Sequence, residues 1–209
     1  MKVLSMDVGV VNMAICILDT NEKIYHWDVF SIGTMASKVK KTRRTPDQQM
    51  CRNLFNYLDS VPMINEIDII VIENQPFKNP TMRVVEGWLV SYFTIRNIDH
   101  NLKRKIVKYS PKYKLKCYKG PIEAPVTNGK NTRGKKYNRR KKLGVLHTEK
   151  LVQGSDYEDV LRDSKKADDL SDSFLQGVSY IRFKLLNKKV PDNLEGEVES
   201  DTEIIELSE

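Results

Sequence analysis

The stretch EIDIIVIEN (Glu66–Asn74) constrains the fold most. A strand with one wet face alternates apolar and polar residues. This one is almost continuously apolar, as expected of a strand buried on both faces. The rest of the chain supplies elements to cover it. Lys2–Leu18 alternates and is rich in Val, Met and Ile, and Ile24–Phe30 resumes the pattern after the turn-like DTNEK, which predicts a three-stranded meander. TPDQQMCRNLFNYLD predicts a helix, with Thr45 as N-cap, Pro46 in the first helical position and Asp47 in the first turn. Its Met50, Leu54, Phe55 and Leu58 fall at helical spacing. Thr81–Asn97 reads as a long, mostly apolar helix and Arg104–Pro111 as a strand stopped by its proline. Lys112–Tyr137, punctuated by Gly and Pro, reads as a mobile basic loop, and helical patterns return at Asn138–Val152 and Asp169–Leu185. The order βββ-α-β-α-β-α-α implies an α/β domain with a mixed sheet.

With 209 residues, 40% apolar and 30% charged, the chain fits one domain with a sizeable core. No window approaches the roughly 18 consecutive apolar residues of a membrane span, so no membrane association is expected. The N-terminus has one Lys and an apolar stretch, but Asp7 interrupts it and no small-residue cleavage site follows, which argues against a signal peptide. Cys16, Cys51 and Cys117 are odd in number and far apart, and read as reduced thiols of an intracellular protein rather than as a disulfide framework or zinc site.

The net charge of +7 conceals an asymmetry. The last 20 residues carry eight of the 28 acidic side chains and none of the 35 basic ones, which leaves residues 1–189 with 35 basic against 20 acidic, a net of +15. Such a surplus points to a polyanionic partner, nucleic acid by default. The expected division is therefore a folded domain at 1–189 and an acidic, disordered tail at 190–209.

Against this basic background a few carboxylates stand out. Asp7 lies in the first strand, in SMDVGVVN, where an isolated buried charge needs a partner or a cation. Gly9 follows it and permits close backbone approach. Glu73 ends the apolar strand, at the kind of strand terminus where open α/β sheets bind ligands. KKADDLSDSF places Asp168, Asp169 and Asp172 just before an apolar helical run. Asp168 suits helix capping, whereas Asp169 and Asp172, three apart, would present two carboxylates on one face. Each has a plain structural reading: a turn at DVG, a solvated strand end, a helix cap. Four hard oxygen donors without a His or Cys cluster suit Mg²⁺ or Mn²⁺ rather than Zn²⁺.

MDVGVVNMA, VIENQP, YNRRKKLGV and KADDLSDSF occur in that order over most of the chain, Lys2 to Phe183. Together they resemble the RuvC-type Holliday junction resolvases of the RNase H-like superfamily, in particular the branch found in poxviruses and other large DNA viruses. The resemblance implies an RNase H-like mixed five-stranded sheet flanked by helices. It implies a metal-dependent endodeoxyribonuclease that resolves four-way and other branched DNA by paired nicks. It implies Asp7, Glu73, Asp169 and Asp172 as ligands of two Mg²⁺ ions, replaceable by Mn²⁺, with Asp168 left to capping. It also implies a lysine near the scissile phosphate at the start of the preceding helix. KLGV makes Lys142 the best match, with Lys141 as the alternative. Homodimerisation through a helix near MRVVEGWLVSYF, action at viral replication sites in the host cytoplasm or nucleus, and no small-molecule cofactor are further implications.

Lys103–Lys142 holds 16 Lys and Arg and one acidic residue, Glu123. A charge run is usually a solvated face. This one is interleaved with Tyr109, Tyr113, Tyr118 and Tyr137 and flanks the carboxylates, so a phosphate-binding arm is the better reading. Lys130, Arg133, Lys135, Lys136, Arg139, Arg140 and Lys141 are the DNA-contact candidates. Two other classes compete. A non-catalytic module binding branched DNA would gain nothing from carboxylates beside phosphate. An actin-like kinase, suggested by D-x-G-x-x-N, lacks the length and a second Gly-rich loop.

Overall fold

A computed structural model describes residues 1–122, 133–188 and 202–205. The predicted meander is β1 (Lys2–Asp7), β2 (Met13–Asp19) and β3 (Ile24–Phe30), joined antiparallel. The apolar run is β4 (Ile69–Glu73), parallel to β1 on one side and to β5 (Lys105–Tyr109) on the other. The five strands run in the order β3-β2-β1-β4-β5, and β6 (Thr202–Ile205) adds a sixth at the edge, antiparallel to β5. The expectation of a disordered tail therefore does not hold for those four residues; the remainder of 190–209 lies outside the described residues.

Helices cover both faces. On one side α1 (Asp47–Ser60) and α2 (Pro80–Asp99) bury Met50, Leu54, Val85, Leu89 and Phe93 against Ile70 and Ile72 of β4. On the other, α5 (Ala167–Tyr180) buries Phe174, Leu175 and Val178 against Ile69 and Val71. Alternate residues of β4 thus enter different cores, which is why its sequence does not alternate. α3 (Arg133–Val152) and the short α4 (Glu158–Asp163) pack beside α5.

Several boundaries differ from expectation. Thr45 does not cap α1: its Oγ1 accepts the backbone N–H of Thr34, and Pro46 occupies the cap position without a side-chain bond. The supposed loop Lys112–Tyr137 begins with a 3-10 turn, Pro111–Lys116, and α3 starts at Arg133, five residues before the predicted start. α4 was not anticipated, and α5 ends in a single π-helical turn, Ile181–Leu185.

α5 packs closely on the sheet. A Cβ on Gly177 would sit 2.7 Å from Leu18 Cδ2 and 3.1 Å from Ser5 Cβ, so any larger residue here would have to displace Leu18 or lift the helix. One position earlier, the fully buried Gln176 donates from Nε2 to the carbonyls of Met6 (3.0 Å) and Val71 (3.3 Å), tying the helix to β1 and β4 together. From the strand side, Trp27 Nε1 donates to Leu170 O at 2.9 Å. These contacts set the height and rotation of the helix that carries the paired aspartates.

Candidate active site

Asp7 ends β1 and Glu73 ends the adjacent parallel β4, each one residue beyond the paired Met6 and Ile72. Parallel neighbours finish at the same sheet edge, so the two carboxylates come together there. Gly9 is explained by the turn out of β1: a Cβ would lie 2.1 Å from Asn12 O. The first turns of α5 face the same edge. Asp169 and Asp172 lie seven and four residues before Gln176, on the stripe that the glutamine pins to the sheet.

The centre of the cluster is a side chain the sequence did not single out. Lys114, on the 3-10 turn after β5, reaches in with Nζ 2.8 Å from Asp7 Oδ1, 3.2 Å from Glu73 Oε1 and 3.8 Å from Asp172 Oδ1. Its side chain is only 7% exposed. In the sequence it is one of 16 basic residues in a run. The one available signal was its place just past Pro111, where the strand beside β4 stops.

The electrostatics follow from burial and crowding. Burial, with Asp7 and Asp172 nearby, lifts Glu73 to about 8, against the opposing pull of Lys114. Burial lifts Asp172 to about 6, again opposed by Lys114. Asp169 is raised by burial and by the neighbouring Asp168. Burial alone would lower Lys114, but Asp7, Glu73 and Asp172 override it and hold the ammonium above its usual value. Gln75 Nε2 donates to Glu73 Oε2 at 3.1 Å, and the Gln75 backbone N–H points to the buried Glu86.

A second lysine closes the other side. Lys141 Nζ lies 2.5 Å from Asp168 Oδ2 and 3.7 Å from Asp169 Oδ1. Burial raises Asp168, but the Lys141 ammonium and the backbone N–H groups of Asp168 and Asp169 outweigh it and leave the carboxyl lowered. Asp168 thus combines a first-turn position with a bond to Lys141, while the N-cap residue proper is Lys166. Lys142 is exposed and makes no ion pair with these carboxylates. Of the two lysines, the structure brings Lys141 to the cluster and leaves Lys142 outside.

The donor chemistry fits a hard divalent cation: four carboxylates, and a buried Asp169 Oδ2 without a hydrogen-bond partner among the described residues. The described arrangement itself has an ammonium at its centre. No trio of His, Cys, Asp or Glu among the described residues is set around an open ion position. Along α3, Lys136, Arg139 and Arg140 are exposed and Lys135 is half-buried. Lys130 lies outside the described residues, and of Arg133 only the backbone is described.

The profile of the Poxvirus A22 protein family matches residues 1–188. An uncharacterized protein, L451, of Acanthamoeba polyphaga mimivirus is 35% identical over 150 residues, which are 68% of this chain and 36% of that protein's length. The Holliday junction resolvase of fowlpox virus (strain NVSL) is 25% identical over 194 residues, 91% of this chain and 98% of that one. Its crystal structure with Holliday junction DNA superposes with a TM-score of 0.53 over 87% of this chain and 97% of that chain, at 21% identity. Thermus thermophilus RuvC in complex with a Holliday junction gives a TM-score of 0.55 over 89% of this chain and 96% of that chain, at 11% identity. The five-stranded arrangement is therefore the RNase H-like fold of the RuvC-type resolvases. By the match over nearly its whole length, the chain belongs to the poxvirus A22 protein family.

Proposed function

We propose that the protein is a metal-dependent endonuclease that resolves four-way and other branched DNA, acting in viral recombination and concatemer processing in the infected cell. The observation that carries this reading is the convergence of Asp7, Glu73, Asp169 and Asp172 from β1, β4 and α5 at one sheet edge, beside a strongly basic helix. The resolvase relatives described above support it.

In this reading the four carboxylates hold two Mg²⁺ ions, with Mn²⁺ as a substitute. The bound cations would polarise the phosphodiester and a water molecule. The chain's own groups do the rest. Gln75 orients Glu73, and Gln176 fixes the rotation of α5 so that Asp169 and Asp172 face the strand ends. Lys141, held by Asp168, is better placed than Lys142 to offset charge on the phosphate. Lys135, Lys136, Arg139 and Arg140 give sequence-independent contacts to the DNA backbone, with Lys130 and Arg133 as further candidates from the adjoining segment.

The second copy needed for paired nicks would dock on α2. Its outward stripe, Val84, Gly87, Trp88, Ser91, Ile95 and Ile98, carries no charge, and Ile98 is 71% exposed. Residues 1–189 form the nuclease unit, and the acidic tail adds β6 to its sheet. The test is cleavage of synthetic four-way junctions, Y-forks and linear duplex with Mg²⁺ or EDTA. Wild-type protein should nick junctions symmetrically only with Mg²⁺. Asp7→Asn should abolish nicking while leaving junction binding intact or tighter, because it removes a negative charge beside phosphate. Binding without cleavage by the wild-type protein under all conditions would instead establish a non-catalytic junction-binding module.

A further inference from the structure

Lys114 has a place in this site that the proposed chemistry does not use. Asp7, Glu73 and Asp172 all point oxygen atoms at one ammonium, and its side chain is 7% exposed. Carboxylates taken out of water and crowded together require a compensating cation. In the described protein the chain supplies that cation itself. An all-carboxylate oxygen set is also what a hard divalent ion takes, and two cations cannot share one centre.

We infer that Lys114 is the resident counter-ion of the carboxylate cluster: a positioning residue that holds Asp7, Glu73 and Asp172 converged before loading and withdraws when a divalent cation enters. The inference rests on the metal-dependent reading above. Its geometry is feasible. The ammonium sits on a flexible four-carbon stem, so it can leave by side-chain rotation alone. The turn that carries it, Pro111–Lys116, packs against α5 and α3, the helices bearing Asp172 and Lys141. An ammonium released there would remain at the rim of the site, near the DNA backbone. Metal affinity is then a net quantity, reduced by the cost of displacing Lys114.

The test uses the full chain and Mn²⁺ as probe, by titration calorimetry and by melting in EDTA. Lys114→Met, close in volume but uncharged, should bind Mn²⁺ at least tenfold tighter than wild type. Its melting temperature should be lower without metal and recover towards wild type when Mn²⁺ saturates. Lys114→Arg, which keeps a cation, should bind more weakly than Lys114→Met. Should Lys114→Met fail to fold without metal, the wild-type protein decides the matter through amine acylation read by peptide mass spectrometry. Lys114 should be protected without metal and become reactive in Mn²⁺, but not in NaCl of equal ionic strength. Equal or weaker Mn²⁺ binding by a folded Lys114→Met, or labelling of Lys114 that Mn²⁺ does not raise, overturns the counter-ion role alone. Absence of Mn²⁺ binding in wild type and variants alike overturns the metal-dependent reading with it.

Discussion

Replacing Lys141 by alanine separates a structural role from a chemical one. The side chain is 29% exposed, with Nζ 2.5 Å from Asp168 and 3.7 Å from Asp169. A partly exposed pair of this kind contributes about 1 kcal/mol or less to stability. For a chain of this length, 1 kcal/mol corresponds to about 2–4 °C in melting temperature. At 25 °C the variant stays folded, so that loss cannot reduce the observed rate. If Lys141 offsets charge developing on the phosphate, its removal should cost roughly a hundredfold in rate, about 3 kcal/mol of barrier. The assay is single-turnover cleavage of a four-way junction in Mg²⁺, with junction affinity measured separately in EDTA. Affinity should change only a few-fold, because one contact among many is lost. Lys142→Ala is the internal control: one residue along a helix is a rotation of about 100°, and Lys142 is exposed. It should cleave at near wild-type rate. A Lys141→Ala protein that cleaves within threefold of wild type refutes the assignment, and loss of activity only in Lys142→Ala moves the role to that residue.

Three other perturbations test the remaining parts. Glu73 and Asp172 are lifted to about 8 and about 6 by burial, so the folded metal-free protein retains protons that the unfolded chain gives up; its stability should fall as pH rises from about 4.5 to about 8. Cation uptake must expel those protons, so Mn²⁺ affinity should rise from pH 6 to pH 8, approaching tenfold per unit, and a flat calorimetric profile would contradict the burial argument. Neutralising Lys136, Arg139 and Arg140 should weaken binding to all DNA sequences alike and reduce the slope of log affinity against log salt by about two to three; an unchanged slope would make this face merely solvated. Ile95→Asp with Ile98→Asp should convert a dimer to a monomer by sedimentation while leaving the melting curve nearly unchanged, since both side chains are exposed; an unaltered mass would place the second copy elsewhere.

Whatever depends on neighbours along the chain could be read before folding was considered. The unbroken apolar run of Ile69–Ile72 required cover on both faces, and both cores are present. Asp7 was legible as a charge inside an apolar strand, which the structure ends at that residue, Glu73 as a charge at a strand end, and Asp169 and Asp172 as a pair at helical spacing, because strand and helix periods can be counted locally. Tertiary structure decided what depends on contacts between distant segments. Lys114 was one lysine in a basic run until folding brought it to Asp7, 107 positions away. The choice of Lys141 over Lys142 depends on how α3 is rotated against α5, and the early start of that helix at Arg133 gave no local cap signal to fix it. Thr45 could have capped α1, but its hydroxyl instead accepts the backbone N–H of Thr34, in the segment after β3. Local periodicity fixes which face a residue occupies. Which charge meets which across the fold is set by the packing of helices on the sheet, here by a glycine and a glutamine in α5 that no periodic pattern distinguishes.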